Sequence, residues 1–497
     1  MQRIGPILFK NSAANIARGS ASAIVAIVLP HFLVRTLDHD RFAAWALILQ
    51  VTAYANYLDF GIQTAVARFL AQAIEKGDVE HRDKLISTAF TMLAAGAFLG
   101  ALTILPVIIY LPHIFTQAPV IVIGEIRSGI AILAICTLLQ LPLATFTGIL
   151  IGLCRNELPA FAVVASRTAG AVGVIVAIRQ THSLVVLAGI TGGLQLAGCL
   201  AQYFMARTLV PHLRVEFRLV CRTVATDLAR YCSTLTVWSL CMLLVSGLDL
   251  TIVGHYDFGQ VGAYSVAAMV ITFLVGINNA VYGALLAPLS ILQAQGDMRR
   301  IGSLVVKVTW LTNFLDIGAL VAVFLSGHFL LNVWVGESYA AHALPILKIL
   351  VIANAIRLAG APMSAALVAT NQQHHGISGA AVEGVSNFAL SIAGAIGMGA
   401  VGVAWGTAAG SCIGVLWMFL FLFGWLKAPL VTRRSLLLDA CLRPAICLLP
   451  VILCALAFDR LVNFQLRSAT ITTGAVASAV IVWRWGWTRR SYQPIVA

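Results

Sequence analysis

VRTLDHDRFAAWALILQVTAYANYLDFGIQTAVARFLAQAIEKGD, residues Val34 to Asp78, returns in degraded form as VGHYDFGQVGAYSVAAMVITFLVGINNAVYGALLAPLSILQAQGD, residues Val253 to Asp297. The offset is 219 residues at both ends and no gap is needed. It places Asp38 on Asp257, Ala44 on Ala263, Trp45 on Tyr264, Ala65 on Ala284, Leu70 on Leu289 and Gly77-Asp78 on Gly296-Asp297. Each copy reads as a polar turn, a long apolar helix with a polar stripe, and a charged exit into another apolar span. A fixed spacing over this distance means that similar elements follow in the same order, so the chain is predicted to be a duplicated helical bundle.

Composition sets the solvent. Of 497 residues, 60% are hydrophobic and 10% charged, with a mean hydropathy of +0.93, far from the quarter or so of charged residues in a soluble domain. A bilayer core needs roughly 20 apolar residues per helix, and about fourteen such segments fill the chain. They lie near 12–37, 42–70, 85–110, 126–152, 160–179, 184–206, 231–254, 262–290, 303–326, 343–370, 377–398, 402–425, 443–458 and 468–487. The fold class expected is therefore all-α, a polytopic membrane protein with two repeated six-helix lobes and two extra C-terminal helices. The lobes are residues 1–206 and 231–425, joined by a basic linker, 207–230, and followed by 426–497.

The net charge of +13 does not point to nucleic acid, because the basic residues gather in alternate loops between apolar spans. With the N-terminus inside, roughly 21 Lys and Arg fall in cytoplasmic segments and roughly 6 outside, so both termini are expected in the cytoplasm. The ten cysteines sit mostly within spans and suggest no disulfide framework; Cys441, Cys447 and Cys454 have helical spacing but no accompanying CxxC or HExxH pattern. No phosphate-cradling GxxxxGK[ST], no GxSxG and no long external loop able to house a sugar-transferring active site is present. Neither cofactor, metal nor catalysis is expected.

What chemistry remains lies in polar residues inside the spans, each costly unless it meets a cavity or a partner. Asn11, Asn15, Arg18 and Ser22 share one face of the first span; Thr52, Asn56, Asp59 and Gln63 keep the same spacing on the second. The repeat equivalents of Asp59 and Gln63 are Asn278 and Tyr282. Buried charges are expected at Arg68, Arg167, Asp249, Asp316, Lys348, Arg357 and Glu383. Arg18 and Arg68 could equally snorkel to headgroups, Asp59 could be paired to an arginine, and Asp249 and Lys348 could be interface residues. Arg357 lies near the middle of its predicted span, out of easy reach of either interface. Glu383, Asn387 and Ser391 line one face of span 11, a carboxylate, an amide and a hydroxyl suited to a proton or a small hard cation. Their equivalents are Val164, Thr168 and Val172, so this carboxylate exists in one half only. A hydrated Glu383 paired with a basic loop is the alternative, and Asp59 and Asp316 are rival ion sites.

The polar turn LDHDRF (37–42), LDFG (58–61), GLDLTIVG (247–254), VGAYSVA (261–267), LLAPLS (285–290) and QGD (295–297) together resemble the polysaccharide transporter branch of the multidrug/oligosaccharidyl-lipid/polysaccharide exporter superfamily. In the first turn Arg41-Phe42-Ala43 departs from the glycine and aromatic pattern that Val261–Tyr264 keeps. The resemblance implies two lobes around a central cavity and transfer of polyprenyl-diphosphate-linked oligosaccharides across the bacterial inner membrane. Implied partners are the lipid-linked oligosaccharide, membrane lipid and a polysaccharide polymerase with its export machinery. A diphosphate and a hydrated glycan need a wet, cationic path; the residues expected to line it are Arg18, Arg68, Arg167 and Arg357 with Asn15, Asn56, Asp59, Gln63 and Asn278. A drug or cation antiporter of the same superfamily would favour acids over arginines in that path, and a membrane glycan polymerase or ligase would need longer external loops.

Overall fold

In a computed structural model the chain is described at residue 19 and over residues 24–211, 213–370, 372–422, 431–432, 434–458, 473–478 and 480–481; Asn11, Asn15, Arg18 and Ser22 lie outside these. Backbone polar groups in hydrocarbon have no water to bond, so apolar runs close their hydrogen bonds within helices. Every regular element among the described residues is helical.

Two compact units divide the chain, Met1–Ser265 and Val266–Ala497. The first contains α1 (Ile24–Thr36), α2 (His39–Ala53), a 3-10 turn (Tyr54–Asp59), α3 (Ile62–Glu75), α4 (Val79–Ile114), α5 (Val120–Gly152), α6 (Glu157–Ile178), α7 (Leu184–Leu209), α8 (Arg222–Met242) and α9 (Asp249–Tyr256). The boundary falls in α10 (Val261–Ala294). The second unit continues with α11 (Met298–Val335), α12 (Glu337–Leu358), α13 (Ala361–Ala369), α14 (Gln373–Trp417), a π-helical segment (Ser435–Leu442) and α15 (Arg443–Phe458). In the first unit α5 packs on α2, α3, α4 and α7; in the second α11 packs on α12, α13 and α15, and α12 on α14. Among the described residues ten helices are long and apolar enough to span a bilayer. Phe98, Leu99, Leu102 and Leu105 of α4 are exposed, as side chains meeting acyl chains are. The contact units are not the repeat frame: α8 packs on α4 and α3, and α9 on α2.

The duplication is visible atom by atom at two helix junctions. Gly77 and Gly296 adopt left-handed φ of 69° and 72°. The N–H of Gly77 donates to Ile74 O and that of Asp78 to Ala73 O, both at 3.0 Å; Gly296 and Asp297 donate to Gln293 O and Leu292 O, also at 3.0 Å. Each aspartate then caps the next helix, Asp78 accepting from His81 N at 2.9 Å and Asp297 from Arg300 N at 3.0 Å. Every pair differs by the same offset, so one chain-reversal device terminates α3 and α10 and starts α4 and α11.

Three predicted spans are not single helices. The stretch 42–70 breaks at the 3-10 turn, where Phe60 (φ 50°) and Gly61 (φ 75°) turn left-handed before α3 begins. A Cβ on Gly61 would stand 2.8 Å from Leu235 Cδ1, so glycine is required there by conformation and by space. Its repeat equivalent is Ala280, and α10 runs through that place unbroken. Span 231–254 is interrupted by a π-helical turn, Leu243–Gly247. Span 343–370 ends α12 at Leu358 and restarts as α13, which moves Arg357 from mid-helix to the last turn of α12.

α14 folds back on itself at Gly399 (φ 57°, ψ −138°). Gly402, Gly406, Gly410 and Gly414, four residues apart on the second arm, lie against Gly394, Ser391, Asn387 and Glu383 on the first. Backbones approach so closely that a Cβ on Gly410 would stand 2.7 Å from Asn387 Cα, and one on Gly414 2.6 Å from Glu383 Cβ.

Candidate substrate and ion sites

In the first unit the predicted stripe on 52–63 is split by the chain break. Thr52 is buried and turns its hydroxyl to Ile48 O at 2.6 Å, while Asn56 is exposed. Asp59 accepts the Gln63 N–H at 3.4 Å, so it closes the first turn of α3; no arginine pairs with it among the described residues. A carboxylate at a helix start is stabilised by the free N–H groups there, and this removes the need for a cation. Arg68 is exposed on α3 with its guanidinium 5.0 Å from the centre of the Tyr231 ring of α8. Arg167 is exposed on α6. Where the chain breaks, α9 is tied to α2 through polar atoms that sequence reading did not single out. Gln50 Nε2 donates to Gly247 O at 2.6 Å, and the Tyr54 hydroxyl donates to the same oxygen at 2.8 Å and meets Thr251 Oγ1. Gly247 O is freed for these bonds by the π-helical turn, and the i, i+4 spacing of Gln50 and Tyr54 was the available signal.

At the end of the first unit formed by the 37–41, 114–119 and 256–260 loops, His39 Nε2 lies 2.8 Å from Gly259 O, and Gln117 Nε2 donates to Tyr256 O at 2.8 Å. Gln117 Oε1 accepts from Phe258 N at 3.3 Å, and His255 Nδ1 meets Ile114 O. Arg41 donates to Glu125 Oε1 from Nη2 at 3.0 Å and from Nε at 3.2 Å, and that hydrogen bonding raises the guanidinium pKa above its ordinary value.

Two polar clusters occupy the second unit. In one, Glu383, Asn387 and Ser391 do share a face, and all three are buried in the hairpin seam of α14. Ser391 Oγ donates to Asn387 Oδ1 at 3.1 Å, and Ser411 Oγ on the returning arm to Glu383 Oε1 at 3.5 Å. Arg357 acts on Glu383 through its charge while donating from Nη2 to Asn354 Oδ1. The hydrated, loop-paired Glu383 that the sequence allowed is thus not found; the side chain is 9% exposed. In the other cluster Asn278 is buried and donates from Nδ2 to Asp316 Oδ1 at 2.7 Å and to Leu274 O at 3.2 Å. The Tyr282 hydroxyl reaches Asn278 Oδ1 at 3.3 Å and Leu358 O at 3.4 Å. Lys348, expected as an interface residue, has Nζ 5.1 Å from the centre of the Phe324 ring. Asp249 is buried and accepts from Tyr264 Oη at 3.1 Å. Tyr282 was noted only as the repeat equivalent of Gln63, and Asn354 and Ser411 were missed; the i, i+3 spacing of Asn354 and Arg357 was an available signal, whereas Ser411 is identified only by a partner on the returning arm. Among the described residues no group of three or more His, Cys, Asp and Glu is placed to hold a metal.

Residues 8–294 match the family model described as "Polysaccharide biosynthesis protein". A Shigella flexneri protein that carries the name of an O-antigen transporter is 25% identical over 350 residues, 69% of this chain and 81% of that protein. Among solved structures, the lipid II flippase MurJ in an inward closed conformation superposes with a TM-score of 0.72 at 14% identity, covering 94% of this chain and 97% of that one. An inward-facing multidrug resistance MATE family transporter of the MOP superfamily gives 0.63 at 12% identity, covering 82% and 98%. At such identities these two likenesses establish the fold, a multi-pass helical transporter fold, and nothing finer.

Proposed function

Because the chain belongs to the polysaccharide biosynthesis protein family, we propose that it flips polyprenyl-diphosphate-linked oligosaccharide repeat units across the bacterial inner membrane for O-antigen, capsule or exopolysaccharide assembly. The family match carries this reading, and the named O-antigen transporter among its relatives supports the substrate class. Physical chemistry asks such a protein for cations that meet a diphosphate in a poorly screened place. Arg357 meets that requirement: it is half-buried, one edge of its guanidinium is fixed by Asn354, and the rest of its donors remain for phosphate oxygens. Arg68 and Arg167, exposed on α3 and α6, and Arg18 would contact the same headgroup along its path, with Asn15, Asn56, Asp59, Gln63 and Asn278 contributing polar surface. Alternating access supplies the movement, and Glu383, Asn387 and Ser391 stand as candidates for coupling it to an ion. A polymerase and export machinery would take the flipped product. An antiporter of drugs or cations is the second reading, favoured by the two buried carboxylates Asp316 and Glu383 in one unit.

Deleting the gene should make lipid-linked repeat units accumulate on the cytoplasmic face, and plasmid-borne wild type should clear them. Absence of accumulation would remove the flippase reading and leave the antiporter. In the same strain Arg357→Ala at normal protein level should abolish clearance, and Arg357→Lys should restore little of it, because an ammonium cannot make two parallel bonds to a phosphate. Full clearance by Arg357→Ala would make that arginine structural.

A further inference from the structure

The Asn278 cluster is fully specified except for one atom. Leu274 O is only an acceptor, so the Asn278 amide turns its Nδ2 to that oxygen and to Asp316 Oδ1, leaving its Oδ1 to face the Tyr282 hydroxyl, whose single proton goes either to Asn278 Oδ1 or to Leu358 O. Asp316 Oδ1 is thereby satisfied. Asp316 Oδ2 is buried without a partner among the described residues, on a side chain that is 7% exposed. No described cation pairs with this carboxyl group. On the elements packed against α11, Lys348 of α12 lies over the Phe324 ring and Arg357 is bonded to Asn354. On the π-helical segment Cys441 accepts from Asn313, and Asp439 pairs with Arg443 of α15; Tyr282 of α10 is bonded to Asn278 and Thr312 and lies near enough to Asp316 to feel its charge.

An isolated carboxylate in such surroundings is far costlier than a neutral acid. A metal ion would call for several oxygen ligands, whereas the nearest polar atom here is an amide nitrogen that donates. We propose that Asp316 is a proton-binding site: in this conformation Oδ2 carries a proton, and a conformation that hydrates the carboxyl group releases it to water. Only a proton is bound and released, so nothing else need be supplied. Two conformations that differ in proton affinity are biased by a pH gradient, which would give transport its direction. The repeat equivalent of Asp316 is Ala97, so the site belongs to the second half alone. Glu383 differs in its partners: Ser411 Oγ donates to its Oε1 and the charge of Arg357 acts on it. The coupling role rests on the transport reading above; protonation of Asp316 does not.

The two are separated by two measurements on the full-length protein in proteoliposomes. Dicyclohexylcarbodiimide adds to protonated carboxyl groups in apolar surroundings and leaves ionised ones unmodified. Peptide mapping at neutral pH should find the adduct on Asp316, falling as pH is raised, and Asp316→Asn should lack it; an unmodified Asp316 overturns the proposal. In the second measurement, flipping of a polyprenyl-diphosphate-linked oligosaccharide is timed with and without an imposed pH gradient. Wild type and Glu383→Gln should be stimulated, by up to about tenfold per pH unit, and Asp316→Asn should run equally with and without the gradient. Stimulation of Asp316→Asn as large as wild type overturns the coupling role. Wild type that flips nothing overturns the transport reading, while the carbodiimide result still decides whether the site binds a proton.

Discussion

Gly61 shows how much of this structure rests on single residues. Its φ of 75° is a region that costs a residue with a Cβ about 1–2 kcal/mol, and the added carbon would also press on Leu235. Gly61→Ala should therefore lower the thermal midpoint of the purified protein in detergent, whereas Gly124→Ala, where a Cβ meets nothing within 4 Å, should leave it within error or raise it. An equal response from both would mean that the break at 54–61 does not depend on the glycine. The same residue explains why the polar stripe Thr52, Asn56, Asp59 and Gln63 could not be judged from periodicity. The 3-10 turn at Tyr54–Asp59 and the left-handed Phe60 and Gly61 that follow it rotate everything beyond Ala53, and a helical wheel has no way to register that.

At the level of elements, the α14 hairpin makes a sharper test. Gly406 faces the Ser391 backbone, while Gly397, near the reversal, faces open space. Gly406→Ala should destabilise by about 1–3 kcal/mol, the range for overpacking a well-filled interface, and Gly397→Ala by little. Comparable melting of the two variants would show that the seam is loose. Apolar length placed these helices correctly in the sequence, because the requirement to cross hydrocarbon is written in consecutive residues. It also separated the two arms, at 398 and 402. The fourfold glycine spacing was legible too, yet its partner was not: that Glu383, Asn387 and Ser391 are the surface it meets follows from the reversal at Gly399. Asn278 and Asp316 lie on different helices, and no local pattern joins an amide to a carboxylate across that separation. Arg357 was placed at mid-span because an apolar run continues past it, although Arg357 itself, Gly360 and Pro362 are the residues that usually mark a helix end.

For the chain as a whole, the charge bias and the helix boundaries together give a topology that can be tested with thiols. Gln180 and Glu337 are exposed between spans predicted to meet outside, and Asp78 is exposed at a junction predicted to lie inside. In a cysteine-free background, Gln180→Cys and Glu337→Cys should react with an impermeant maleimide from the exterior, and Asp78→Cys only after the membrane is opened. Native Cys221, at the start of α8, provides an internal control. Its Sγ lies 3.0 Å from Thr223 Oγ1, and hydrogen bonding from that hydroxyl brings the thiol below its usual pKa. A larger share of it is thiolate at a given pH than for an ordinary cysteine, so in otherwise native protein it should react faster with a permeant maleimide than an unperturbed thiol does, and be shielded from the impermeant one. Labelling of Gln180→Cys from inside alone would invert the orientation. The hairpin seam, finally, bears on heredity. Every single-base change that alters a glycine codon without ending the chain brings in a side chain, and between Gly394 and Gly402 there is room for none. Once two helices have settled backbone to backbone, one mutation cannot lead back out; descendants of this gene keep those glycines or change both arms together.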